Sequence, residues 1–167
     1  VQWGWATNKR TLKGKPKFKY IEDARNTYAL INAGLEYLAK RYRITKDECA
    51  WSGFSRSSTQ CAVFAHLDKN EGKGYFKLFI ASSGGIGNNL SIMRELLSGK
   101  YGVKPIAGQH FYLWAGKRDN NRIEDMQKSK STIEKLGGIV DIFRIGPEGH
   151  GGFNHNLQYQ EEACALW

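Results

Sequence analysis

Short apolar runs alternate with stretches of helical periodicity along the 167-residue chain, and that alternation limits the fold more than any other feature of the sequence. The runs are Cys49 to Phe54, Tyr75 to Ala81, His110 to Ala115 and Ile139 to Ile145, each closed by turn or glycine-rich chemistry. Between them lie helix-like segments at about Ser57 to Leu67, Asn89 to Leu97 and Arg122 to Leu136. Ahead of the first run, Ile21, Ala24, Tyr28, Ile31, Leu35, Leu38 and Tyr42 recur at helical spacing, one stripe of a helix from about Ile21 to Tyr42. Glu22, Asp23, Arg25, Glu36, Lys40 and Arg41 fall off that stripe, acids early and bases late, as the helix dipole favours. Strands alternating with helices predict a mostly parallel sheet with crossover helices, a three-layer α/β fold. In such sheets functional groups gather at the carboxyl ends of the strands.

The length suits one domain with a real core, divided here into an N-terminal basic segment, 1–20, and a core, 21–167. No run of 18 or more apolar residues exists, so no helix of this chain is expected to span a membrane. Val1-Gln2-Trp3-Gly4-Trp5 lacks the basic-then-apolar order of a signal peptide. It also lacks an initiator methionine, which points to processing or to a piece of something longer, with secretion after processing as one route. Cys49, Cys61 and Cys164 make an odd count without a C-x-x-C, neither a disulfide scaffold nor a zinc site. The net charge of +9 is concentrated in Lys9, Arg10, Lys13, Lys15, Lys17 and Lys19. Such a cluster is ordinarily a solvated connection; its alternative use is to bind acidic polymers. No recognition helix or RNA-binding signature accompanies it, which argues against nucleic acid.

Three motifs fall at predicted strand ends. Gly53-Phe54-Ser55-Arg56-Ser57 stands between a strand and a helix and resembles the G-x-S-x-G turn that presents a serine nucleophile. Such a serine sits on a strained turn, so the residues two positions away must be small; Gly53 satisfies this, and Ser57 replaces the usual glycine with another small residue. A string of this kind arises by chance in roughly one chain of this length in ten, so its placement between strand and helix carries the argument. Trp114-Ala115-Gly116-Lys117-Arg118-Asp119 closes a later strand and offers Asp119 as the carboxylate that orients a histidine. The competing reading makes Asp119 a helix cap, and Asp125 and Asp141 are the nearest substitutes. Gly146-Pro147-Glu148-Gly149-His150-Gly151-Gly152-Phe153 follows the last strand and offers His150 as the base, with His155 as the fallback.

Serine, aspartate and histidine in that chain order are the order of the α/β-hydrolases. The stretch from about Ile21 to Phe153 is similar to the C-terminal half of that family. It is most similar to the esterase branch containing feruloyl esterases, polyhydroxybutyrate depolymerases and dienelactone-hydrolase-like proteins. The resemblance implies a serine esterase that hydrolyses small-molecule or polymer-linked carboxylic esters, with no metal and no organic cofactor. Ser55 would be the nucleophile, His150 the base and Asp119 the acid, with the backbone N–H of Arg56 as one oxyanion donor. Trp51, Trp114 and Phe153 lie beside the motifs as candidate lining of an aromatic acyl pocket; for the two tryptophans a place in the core is at least as good a reading.

The sequence departs from the family in one large respect. Members usually have eight strands, and only the last four are legible here. With the opening strands goes the loop that supplies the second oxyanion amide, whose loss ordinarily costs about 100- to 1,000-fold in turnover. Either the rest belongs to a longer precursor, or Val1 to Trp5 is the remnant of a further strand. A reduced sheet would expose an apolar edge, and the expected consequence is either a homodimer through that edge or poor solubility. A non-catalytic protein that keeps the fold for binding is the rival to the esterase.

Overall fold

The computed structural model describes residues 21–87, 90–120 and 122–167, with the side chain of Asp23 excepted. The basic cluster at Lys9 to Lys19 and the proposed strand remnant at Val1 to Trp5 lie outside the described residues, and with them the whole of segment 1–20. Among the described residues the chain forms helix α1 (Ile21–Ala39), strand β1 (Cys49–Phe54), a 3₁₀ helix (Ser55–Gln60) and helix α2 (Cys61–Asn70). Strand β2 (Phe76–Ser82), α3 (Ser91–Leu97), β3 (His110–Gly116), α4 (Arg122–Lys135), β4 (Ile139–Gly146), α5 (Gly152–His155) and α6 (Leu157–Leu166) follow.

The strands lie in the order β1-β2-β3-β4, every pair parallel. Parallel strands need crossovers, and α2, α3 and α4 fill that role in turn. Strands β2 and β3 are buried almost throughout, which is why they read as continuous apolar runs rather than as alternating ones. One sheet face turns Phe79, Ala81, Phe111, Leu113 and Ala115 into a core shared with α1 to α4. The other turns Leu78, Ile80, Tyr112 and Trp114 against Phe153, Tyr159 and Ala163 of α5 and α6. These are the three layers of an α/β fold.

Helix α1 follows its apolar stripe only in part. Ile21, Ala24, Tyr28 and Ile31 are buried, whereas Leu38 and Tyr42 are 41% and 63% exposed. The helix stops at Ala39, short of the expected Tyr42, because its last turn has left the core behind. The buried part is pinned to α2 by a polar node. Asp68 accepts from the Tyr28 hydroxyl at 2.5 Å and from the Tyr75 and Phe76 amides at 3.1 Å each. That carboxylate joins α1 and α2 to the start of β2. Burial lifts it above the ordinary carboxyl range, against the bonds that favour its charge.

Two further differences from the expected elements follow from local geometry. The helix expected from Ser57 opens as a 3₁₀ turn at Ser55 and becomes α-helical only at Cys61. The helix expected from Asn89 begins at Ser91, Asn89 itself being outside the described residues. Strand β1 pairs on one side only among the described residues, and its burial alternates, with Ala50 and Ser52 exposed and Trp51 and Gly53 buried. Its second face is therefore small and partly polar rather than broadly apolar.

Candidate active site

The carboxyl ends of β1, β3 and β4 bring the three sequence-predicted side chains together. Ser55 is the first residue after β1, Asp119 lies three residues beyond β3, and His150 lies four residues beyond β4. The Ser55 hydroxyl (Oγ) is 2.9 Å from His150 Nε2. On the other side of the ring, His150 Nδ1 is 2.8 Å from Asp119 Oδ2. Asp119 is 10% exposed and the His150 side chain 44%, so the carboxylate is sheltered while the imidazole faces open space. In the neutral imidazole that fits these distances, Nδ1–H donates to Asp119 and Nε2 accepts from the serine hydroxyl.

The turn that carries Ser55 is strained and held from outside. Ser55 has φ of 55°, a left-handed conformation uncommon for any residue with a Cβ. A Cβ on Gly53 would lie 2.6 Å from the Ser57 carbonyl oxygen, so only glycine fits there. Ser57 itself tolerates a side chain at the position where the G-x-S-x-G pattern has its second glycine. The buried Ser58 hydroxyl lies between the carbonyls of Ser55 and Gly85, 2.6 Å from each, and ties the turn to the loop after β2. Ser83 in that loop, also at positive φ (56°), accepts from the Gly151 amide through its hydroxyl at 3.4 Å and donates its own amide to Trp114 at 3.1 Å. Ser58 and Ser83 were not legible as site residues; a Ser-Ser-Gly-Gly string after a strand pointed to the loop of Ser83, and nothing marked Ser58.

The remaining candidates separate cleanly. Arg56 occupies the second position of the 3₁₀ helix, where its amide follows the serine directly. Asp125 pairs with Arg122 at 2.9 Å, and Asp141 pairs with His110 at 3.0 Å, so both substitutes for Asp119 are engaged elsewhere. His155 ends α5 on the surface. Trp51, Trp114 and Phe153 are all in the core. Trp51 packs edge-on against Phe64 at 4.6 Å, and Phe153 sits against Tyr112 and Trp114 under α6. Phe153 is 5% exposed, so its place after the histidine buries it rather than presenting it to a ligand. The aromatic ring that does flank the imidazole is Phe54, 4.9 Å from His150. Among the described residues no group of three or more His, Cys, Asp or Glu side chains is placed to hold a metal ion.

This arrangement can be compared with known proteins. No family model and no curated protein sequence matches the chain. Solved structures do. The Bacillus cereus carboxylesterase aligns at a TM-score of 0.55 and 18% identity, over 90% of this chain and 70% of that one. Fungal esterases of Rhizomucor miehei align at 0.61 and 16%, over 90% of this chain and 59% of theirs. The fold is that of the α/β-hydrolases. A ferulic acid esterase aligns at 0.51 and 15%, over 80% of this chain and 58% of that one. The chain thus spans between 58% and 70% of the length of these three structures.

Proposed function

We propose that this chain is a serine hydrolase that cleaves carboxylic esters through an acyl-enzyme on Ser55. The observation that carries the reading is the continuous hydrogen-bonded line from Ser55 Oγ through both ring nitrogens of His150 to Asp119, at 2.9 and 2.8 Å. The proteins it resembles in fold are described as a carboxylesterase, fungal esterases and a ferulic acid esterase, which agrees with ester chemistry.

In the first step His150 Nε2 takes the hydroxyl proton as Ser55 Oγ attacks the ester carbonyl carbon. Asp119 holds the Nδ1–H tautomer and stabilises the imidazolium as it forms. The tetrahedral oxyanion accepts from the Arg56 amide. Collapse expels the alcohol, which takes its proton from His150, and leaves the acyl group on Ser55. Water then attacks the acyl-enzyme with His150 as base, releasing the carboxylic acid and restoring the hydroxyl. In this fold the second oxyanion amide comes from a loop after an earlier strand. The four described strands do not include that strand, and the second donor is left unassigned. A small-molecule or polymer-linked ester fits the open face of His150, and Phe54 is the ring placed to meet its acyl group.

Incubation with a fluorophosphonate followed by peptide mass spectrometry tests the reading. An adduct on Ser55, absent from His150→Ala, supports it, as does loss of p-nitrophenyl ester hydrolysis in folded Ser55→Ala. A folded chain that takes no adduct favours instead a non-catalytic protein with the hydrolase fold. Pairing of two copies along β1 is the partner arrangement this reading carries, and sedimentation as a monomer at high concentration would remove it.

A further inference from the structure

Glu148 stands two residues before His150 and engages both loops of the proposed site as well as the helix behind them. Its backbone carbonyl accepts from the Arg118 amide at 3.0 Å, one residue before Asp119. The neighbouring bonds, Lys117 N–H to Gly146 O at 2.8 Å and Arg118 Nε to Pro147 O at 3.0 Å, run between the same two loops. Its side chain turns the other way, into the layer under α6. There the Tyr159 hydroxyl donates to it, 3.2 Å from Oε1 and 3.1 Å from Oε2, and Asn156 Nδ2 donates to Oε1 at 3.1 Å. Asn156 is itself the N-cap of α6, its side-chain Oδ1 accepting from the Gln158 amide at 3.0 Å.

The surroundings admit this carboxylate and little else. A Cβ on Gly146 would fall on Glu148 Oε2, and one on Gly152 would fall on the Glu148 Cβ, both well inside contact distance. Tyr159, 8% exposed, packs its ring on Trp114 at 5.7 Å, so the hydroxyl is delivered from a fixed position. Burial pushes the Glu148 carboxyl upward, but the bonds from its own amide, Asn156 and Tyr159 outweigh it and hold the group below its ordinary range. It is therefore charged at neutral pH, and a charged acceptor makes the stronger kind of hydrogen bond.

We infer that Glu148 is a positioning residue: anchored by Tyr159 and Asn156 of the α6 layer, it fixes the His150 loop against the Asp119 loop and so sets the Asp119–His150 contact. This rests on the esterase reading above. The imidazole is 44% exposed, is borne by a loop bounded by Gly149 and Gly151, and packs against the ring of Phe54 on one side. A tether from the core fixes that loop, and a displacement of about 1 Å at such a contact lowers rates by about 100-fold.

The test uses the full chain, a fluorophosphonate probe and proton NMR of the imidazole N–H region. In Glu148→Ala the labelling rate of Ser55 per folded molecule is expected to fall about 10- to 100-fold. Glu148→Gln, which keeps an acceptor for Tyr159, recovers most of that rate, and Tyr159→Phe falls between the two. The downfield His150 Nδ1–H signal is expected in the wild type and in Glu148→Gln and is lost in Glu148→Ala. A Glu148→Ala variant that labels at the wild-type rate with that signal intact overturns the inference, as does one whose only change is a lower melting temperature. Should Glu148→Ala not fold, Tyr159→Phe, which removes a single hydroxyl, decides the matter by the same two readouts. Should the wild type take no probe at all, the esterase reading fails, and the N–H signal alone decides on Glu148.

Discussion

Gly84 lies directly against the carbonyl oxygen of Ser55, so close that a methyl group on it would fall well inside contact distance of that backbone atom. The loop after β2 thus buttresses the strained serine turn from outside, and there is no flexible side chain to give way. Gly84→Ala is expected to destabilise the chain by about 1–3 kcal/mol, the usual range for overpacking. It should also depress fluorophosphonate labelling of Ser55 beyond what unfolding explains. Denaturant titration beside labelling checks this, and a Gly84→Ala chain with wild-type values of both would show that the loop is free to retreat.

Gly34 provides the opposite case. It sits in the interior of α1, exposed, with nothing within 4 Å of where a Cβ would be. Alanine there keeps the helical backbone and removes freedom from the unfolded chain, a gain of about 0.5–1 kcal/mol. The midpoint of urea unfolding should rise accordingly, with labelling unchanged.

Asp119→Asn separates geometry from charge at the site. The amide is nearly the shape of the carboxylate, so folding should be unaffected, but its NH₂ group favours the wrong imidazole tautomer. A loss of turnover near 10⁴-fold is the scale on which this substitution acts in the chymotrypsin-type enzyme from which the value comes. An Asp119→Asn chain within tenfold of wild type on a p-nitrophenyl ester would mean that the 2.8 Å contact to His150 is structural only.

The Asp68 node predicts a stability coupling. Asp68→Ala strands the Tyr28 hydroxyl and the Tyr75 and Phe76 amides in the core, at about 1–3 kcal/mol for each group left unpaired. A total loss above about 3 kcal/mol is expected. Tyr28→Phe should then cost less in the Asp68→Ala background than in the wild type, because its partner is already gone. Additive losses in this double-mutant cycle would deny the coupling.

What the sequence made legible follows the strength of each local signal. The four strands were readable to within a residue at either end, because burial on both faces makes β2 and β3 continuous apolar runs bounded by glycines and charges. That Ser55, His150 and Asp119 come together was readable because each follows a strand end, two of them among small neighbours. Helix α6 was not: only Tyr159 and Ala163 along Leu157–Leu166 are buried, too thin a stripe to stand out. Glu148 was hidden for a different reason. Its partners lie eight and eleven residues onward and across the sheet ends at Arg118, a relation that exists only once the loops are folded. Phe153 shows the converse, a residue next to a motif whose ring the fold sends inward.

The alkaline limb of the stability curve should be set first by a thiol. Burial pushes Cys61 up to about 12, whereas in the unfolded chain a cysteine loses its proton near pH 8.5. Above that pH the unfolded state releases a proton that the folded state keeps. Stability from this group is therefore complete below about pH 8.5 and falls by about 1.4 kcal/mol per pH unit until the folded thiol also ionises. Tyr28 and Tyr112 act in the same sense from about pH 10: burial raises both phenols, and bonding to Asp68 and to Glu162 raises them further. Urea titrations under reducing conditions at pH 7, 9 and 10 should show wild-type stability dropping between the last two. Cys61→Ala should be less stable at pH 7, for the lost packing, yet should lose less stability than the wild type from pH 9 to 10, the remaining slope coming from Cys49, which burial also raises, and from the two phenols. A wild type equally stable at pH 7 and pH 10 would mean that Cys61 ionises as easily folded as unfolded. The first turn of α2 would then be open to water beneath the serine turn, and the rigidity assigned to Ser55 would have to come from the loop after β2 alone.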